Sequence, residues 1–170
     1  MAFIVRRTTA EEWREFRELR LEALLDSPNN YGQTHEQASA LPDEYWQERA
    51  QSNASADDRA FHVAVDDASG KLVGMWGVFP HFDRPGVCIV LGVYVQPAVR
   101  GMDLARRLMH ESIAFARTTD AKELLLLVRD DNYRGRRFYE REGFEFTGLA
   151  EPHNLDPTHE LVEMRYPTFR

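Results

Sequence analysis

Val87 to Ala105 reads VCIVLGVYVQPAVRGMDLA. Its first nine residues are rich in β-branched and aromatic side chains, which suits a buried strand. Pro97 ends that strand. Beyond it, Leu104, Ala105, Leu108, Met109, Ser112, Phe115 and Ala116 recur at helical spacing, with Arg106, Arg107, His110 and Glu111 between them. The spacing predicts a helix that starts near Gly101. The first turn of a helix presents N–H groups without intrahelical partners and the positive end of the macrodipole, so a turn without bulky side chains there can hold a pyrophosphate. Arg100 is read as a mobile positive charge beside it. A tight turn needs glycine whether or not anything binds, so this stretch alone decides little.

A second stretch, NYRGRRFYEREGF from Asn132 to Phe144, follows another apolar run, ELLLLV. Together the two resemble the GNAT superfamily of acyl-CoA-dependent N-acyltransferases. Val95, Pro97, Arg100 and Ala105 match its V-x-P strand end and R/Q-x-x-G-x-G/A turn, with Asp103 where a central Gly is usual. Asn132, Phe138, Tyr139, Glu140, Gly143 and Phe144 match its N-x-x-A-x-x-F-Y-E-x-x-G-F pattern, with Gly135 replacing the Ala. The resemblance implies a mixed α/β domain over residues 1–170. Its central sheet would be largely antiparallel and twisted, of about seven strands with one splayed parallel pair, flanked by about four helices. It implies acetyl-CoA as cosubstrate, held by Val93, Tyr94 and Val95, by the turn of Arg100, Gly101, Met102, Asp103, Leu104, Ala105 and Arg106, and by Asn132, Phe138 and Tyr139. It also places the Tyr139 hydroxyl beside the thioester sulfur as the catalytic acid.

The chain's 170 residues suit one domain with a sizeable core. A single cysteine, Cys88, lies in an apolar strand and points to a structural thiol in a reducing compartment. The start, MAFIVRR, is too short in apolar residues for a signal peptide, and no run reaches the roughly 18 residues of a membrane span. The expected location is the cytoplasm. With 28 acids against 21 bases, the net charge of −7 argues against nucleic acid as the main partner. The arginines cluster on the two motifs, at Arg100, Arg106 and Arg107 and again from Arg129 to Arg141, where they are expected to balance coenzyme phosphates.

Elsewhere, Phe3 to Thr8 alternates as a strand, and Thr9 with Glu12 reads as a capping box opening a helix with Trp13, Phe16, Arg20, Ala23 and Leu24 on one side. YGQTHEQASALP has no sustained period and reads as an irregular, mobile connector before a short helix begun by Pro42. In the resembling family this region often covers the acceptor, which makes Tyr31, Gln33 and Glu36 candidates for substrate contact, with His81 a further one. FHVAVDD and KLVGMWGVFPHF form a hairpin across Ala68, Ser69 and Gly70. Further strands are read from Lys122 to Val128, Phe144 to Gly148 and Glu160 to Tyr166, and a helix from Asn132 to Glu142. The last strand is expected at a sheet edge, where it could help form a homodimer. Gly92 interrupts a bulky strand, which fits a bulge or a close backbone approach and fits ordinary packing equally well.

Amide formation from a thioester needs a neutral amine, a held acyl carbon and a proton for the thiolate. It needs no metal, and the six His residues show no ligand spacing. No nucleophile-elbow pattern supports a Ser-His-Asp triad. The expected reaction is acetyl transfer to a primary amine of a small molecule or peptide; the alternative is a non-catalytic acyl-CoA-binding domain. The base is not legible, because the motif strand carries no carboxylate near Ile89, where many relatives of the resembling family have Glu. His81, Asp83, His153, His159 or a water chain remain as routes for the proton.

Overall fold

Residues 1–170 are described by a computed structural model. Seven strands share one sheet: β1 (Phe3–Arg7), β2 (Ala60–Asp66), β3 (Leu72–Pro80), β4 (Val87–Val95), β5 (Glu123–Arg129), β6 (Glu145–Pro152) and β7 (Glu160–Arg165). They lie in the order β1-β2-β3-β4-β5-β7-β6, and every neighbouring pair is antiparallel except β4 and β5. Two apolar layers cover it. On one face α1 (Trp13–Asp26), α2 (His35–Ser39) and α3 (Asp43–Ser55) enclose Phe16, Leu24, Trp46, Phe61 and Met75. On the other, α4 (Leu104–Ala116) packs Leu104, Leu108 and Ile113 onto Trp76, Val90 and Leu126. A fifth helix, α5 (Tyr133–Arg141), lays Phe138 and Tyr139 against the same Trp76. No helix is long and apolar enough to cross a membrane.

Two features of this sheet make the site. First, the parallel pairing of β4 with β5 covers only Val87, Cys88 and Ile89 against Glu123, Leu124 and Leu125, so the two strands part beyond Ile89. Second, Tyr94 faces Met75 and Leu91 faces Gly77, leaving Gly92 and Val93 opposite Trp76 alone. That is a β-bulge, and Gly92 adopts φ 67° within it. A Cβ there would stand 2.7 Å from the Phe61 ring, so glycine at this position admits both the backbone turn and the ring.

Several expectations are corrected. The last strand, β7, is not at an edge: it lies between β5 and β6, with Met164 fully buried, so the basis for a homodimer through it is gone. The edge belongs to β6, whose Leu149 is 60% exposed. There are five α-helices rather than about four, because the connector read as irregular contains α2. Thr34 and Gln37 form a complete capping box there, the T-x-x-Q signal that the missing periodicity hid. The Thr9–Glu12 box is half formed: Glu12 Oε1 accepts from the Thr9 N–H at 2.8 Å, but no side chain caps the helix, which begins at Trp13. Finally, α4 begins at Leu104 rather than near Gly101, after a one-turn 3-10 helix, Pro97–Val99.

Candidate active site

Where β4 and β5 diverge, a cleft of about 830 Å³ runs through the sheet. At one end is the turn into α4. None of the N–H groups from Gly101 to Arg106 has a partner within the protein, since the first bond of the helix is Arg107 N–H to Asp103 O at 3.1 Å. Gly101 at φ 82° and Asp103 at φ 65° bend the chain along this row of free donors, and nothing lies within 4 Å of a Cβ at Gly101. Such a row at a helix N-terminus attracts an anion. The Asp103 side chain is exposed and makes no capping bond.

The arginines here are less free than their sequence suggests. Arg100 is no mobile charge: its Nε donates to Val95 O at 2.9 Å and its Nη2 to Asp26 at 2.8 Å, tying the turn to the end of α1. Bonds from Ser27 and then Arg100 hold the Asp26 carboxyl below its usual range. Arg106 pairs with Glu142 at 3.3 Å, and buried Arg129 with Asp131 at 2.8 Å and Asp156 at 3.3 Å. Arg134, which also lines this end, is exposed and has no ion-pair partner.

Asn132 caps α5, its Oδ1 accepting the Gly135 N–H at 3.0 Å. A Cβ at residue 135 would meet the Asn132 amide at 2.7 Å, which accounts for glycine where the resembling pattern has alanine. One turn on, half-buried Tyr139 stands against Trp76, Phe138 and Phe144 with ring centroids 6.1, 5.5 and 5.8 Å away. Burial raises the pKa of its phenol, so it stays neutral at pH 7, as an unperturbed phenol does, and is a weaker acid than one in water. Across the cleft Tyr31 O–H donates to Val93 O at 2.8 Å, on the bulge. Burial raises this phenol too, against the opposing charge of Arg20.

Of the residues named from sequence, Val93, Tyr94, Val95, Arg100, Gly101, Asp103, Leu104, Ala105, Arg106, Asn132, Phe138 and Tyr139 all line this one cleft, as do Tyr31 and Gln33. Met102, Glu36 and His81 are not among its lining residues, and none of the other histidines is either. The Tyr94 hydroxyl is committed to Glu22 at 3.0 Å. His153 is buried and its Nδ1 accepts the Leu155 N–H at 3.1 Å, while His159 pairs with Asp130 at 2.7 Å. Sequence reading had found no ligand-like spacing among the histidines, yet the structure gathers Asp130, Asp131 and His159 within 4.8 Å on a loop surface. It also adds a wall that no motif marked: Phe16, Arg20, Tyr45, Trp46, Arg49, Asn53 and Phe79.

The family model described as "Acetyltransferase (GNAT) family" matches residues 11–144. The chain belongs to this family. Among curated relatives, a mycothiol acetyltransferase of Mycobacteroides abscessus is 34% identical over 88 residues, 52% of this chain. The match spans 30% of that relative's length. Among solved structures, an acetyltransferase of the GNAT family from Streptococcus pneumoniae superposes with a TM-score of 0.82 over 96% of this chain and 98% of that one, at 16% identity. The PaiA N-acetyltransferase of Thermoplasma acidophilum, in complex with coenzyme A, gives 0.64 over 96% and 98% at 18% identity. At such identities these two likenesses speak for the GNAT fold, whose splayed parallel pair is the cleft described above.

Proposed function

We propose that this GNAT-family protein is an acetyl-CoA-dependent N-acetyltransferase that acts on a primary amine by direct attack on the thioester. The observation that carries the reading is Tyr139, whose neutral phenol lines the same cleft as the unpartnered N–H groups of the α4 turn. Those donors, the helix dipole and Arg134 suit the pyrophosphate of coenzyme A. The parted edges of β4 and β5 offer backbone groups to its pantetheine arm. The coenzyme A complex of the Thermoplasma relative and the family membership support the same cosubstrate.

In this reaction the amine nitrogen bonds to the acetyl carbon and the carbon–sulfur bond breaks. Tyr139 gives its proton to the departing thiolate and recovers one released from the amine. No histidine lines the cleft, its two carboxylates, Asp103 and Glu142, stand at the coenzyme end, and Tyr31 is too weak an acid to ionise near neutrality, so water takes the amine's proton. The pH dependence of kcat/KM therefore rises with the acceptor's own pKa rather than with one near 6.5.

Incubation with acetyl-CoA and a panel of amines, with mass-spectrometric identification of product, tests the reading. The expected outcome is an N-acetyl amide, with kcat lowered about 10²-fold in Tyr139→Phe and the coenzyme Kd within about twofold of the parent. Equal single-turnover rates in parent and Tyr139→Phe would remove Tyr139 from the chemistry. Coenzyme binding without turnover of any amine would instead favour a non-catalytic acyl-CoA-binding domain.

A further inference from the structure

The end of the cleft beyond Tyr31 and Tyr139 has an unusual charge. Arg20 projects from α1 over the Tyr31 ring, its guanidinium carbon 4.8 Å from the ring centroid. Its one hydrogen bond is a long 3.4 Å contact from Nη2 to Gln33 Oε1. Arg49, from α3, lies over the rings of Tyr45 at 5.6 Å and Phe79 at 5.7 Å and forms no ion pair. Both guanidinium groups line the same cleft, and burial is the main cause that lowers the pKa of Arg20, with Arg49 the smallest contributor, after Tyr31 and Tyr45, which oppose the shift. Beside them the buried indole N–H of Trp46 has no hydrogen-bond partner.

No carboxylate answers these cations. The only acidic residues lining the cleft are Asp103 and Glu142, both at the coenzyme end. This is so in a chain with 28 acids against 21 bases, in which Arg100, Arg106 and Arg129 in the same cleft all have acidic partners. Arg49 is exposed, but a half-buried guanidinium such as Arg20, with no acidic partner, is better balanced when a ligand supplies the opposite charge. Guanidinium forks suit a planar or tetrahedral oxyanion.

We propose that the acceptor is a small amino acid-like molecule, an amine bearing a carboxylate or a similar oxyanion, whose acid group is held by Arg20 and Arg49. The inference rests on the N-acetyltransferase reading and narrows it. With the acid group at the two arginines, the amine end extends toward Tyr31 and Tyr139, where the bulge of β4 lies. The arginines also favour the reactive state of the amine, because a nearby positive charge disfavours an ammonium relative to its neutral form. A polycationic acceptor meets repulsion in the same place.

Two measurements on the full chain test this. In the first, initial rates with acetyl-CoA are compared for α- and ω-amino acids, their carboxamides and spermidine. At least one amino acid should exceed its own carboxamide, and spermidine, about 10- to 100-fold in kcat/KM, and Arg49→Gln should remove most of that preference by raising the acceptor KM more than it lowers kcat. Arg20→Gln should do the same; being exposed, Arg49 is the safer variant should Arg20 be needed for folding. Spermidine or carboxamides acetylated as well as amino acids, or a preference untouched by Arg49→Gln, would overturn the proposal. In the second, short aliphatic carboxylic acids without an amine are titrated calorimetrically into the coenzyme A complex. Binding that weakens about tenfold in Arg49→Gln supports the anion site even if no amine is ever acetylated, in which case it is the reaction and not the anion site that has failed. No binding of any such acid overturns the anion site while leaving N-acetylation of other amines standing.

Discussion

The two ends of the cleft are made differently. At the coenzyme end the contacts on offer are main-chain N–H groups of one turn, and Arg100 and Arg106 beside it are held by Asp26 and Glu142. At the acceptor end they are side chains from α1, α3 and the strand hairpin, with arginines that have no acidic partner. Backbone donors are indifferent to most substitutions and can serve one coenzyme across many proteins. Side chains can be exchanged one at a time, so specificity resides there. A shared strand separates the ends, and changes along the molecule should therefore divide into those that strike both and those that strike one.

The largest effect is expected at the bulge common to both. Gly92→Val must place a branched side chain at φ 67° and against the Phe61 ring, at a cost of about 3 kcal/mol in stability. Both the acceptor KM and the coenzyme Kd should worsen; a chemical-denaturation midpoint and a calorimetric titration report the two parts. A variant as stable as the parent, weakened toward one ligand only, would break the idea of a common spine.

A smaller, whole-molecule effect should leave both ends alone. His62 is buried on the α4 side, with Nδ1 3.1 Å from Ser112 Oγ, and burial, followed by the Arg7 charge, lowers its pKa from 6.5 to about 4. The unfolded chain thus binds a proton between those values that the folded chain refuses. Stability should be level above pH 6.5 and fall by about 3 kcal/mol as the pH drops toward 4. His62→Gln should flatten that slope in urea titrations, with ligand binding at neutral pH unaltered.

The smallest effect should fall on the coenzyme end alone. Asp103→Gly relieves a left-handed backbone and removes a carboxylate from the turn, about 1 kcal/mol at most if well solvated. Coenzyme A should bind two- to fivefold tighter in low salt, with the gain shrinking as salt is added and the acceptor KM unmoved. An unchanged or weaker affinity would mean that Asp103 contributes to the site rather than opposing it.

The same contrast explains what could be read from the chain. The strand, turn and helix of the coenzyme end are contiguous, and each leaves a local mark: β-branched runs, Pro97, Gly101, the helical period after Leu104, the capping Asn132. Even the bulge was legible as a glycine in a bulky strand. The acceptor wall draws residues 16, 20, 31, 45, 46, 49, 53 and 79 together only when the sheet closes, so no spacing announces it. One sign was present: Arg20 sits on the apolar stripe of its helix between Phe16 and Leu24, where a solvated arginine has no place. The position of β7 was missed because chain order says little about sheet order when a strand inserts between two earlier ones.

Helix α1 carries both stories in fourteen residues. Arg20 points into the acceptor end, Glu22 holds Tyr94 and Gln96 at 3.0 and 2.9 Å, and Asp26 grips Arg100 of the coenzyme turn. A ligand that steadies the turn must also steady this helix, and so the arginine that awaits the second ligand. If coenzyme binding steadies this helix, the two substrates are thermodynamically linked, each raising affinity for the other by the same factor whichever binds first.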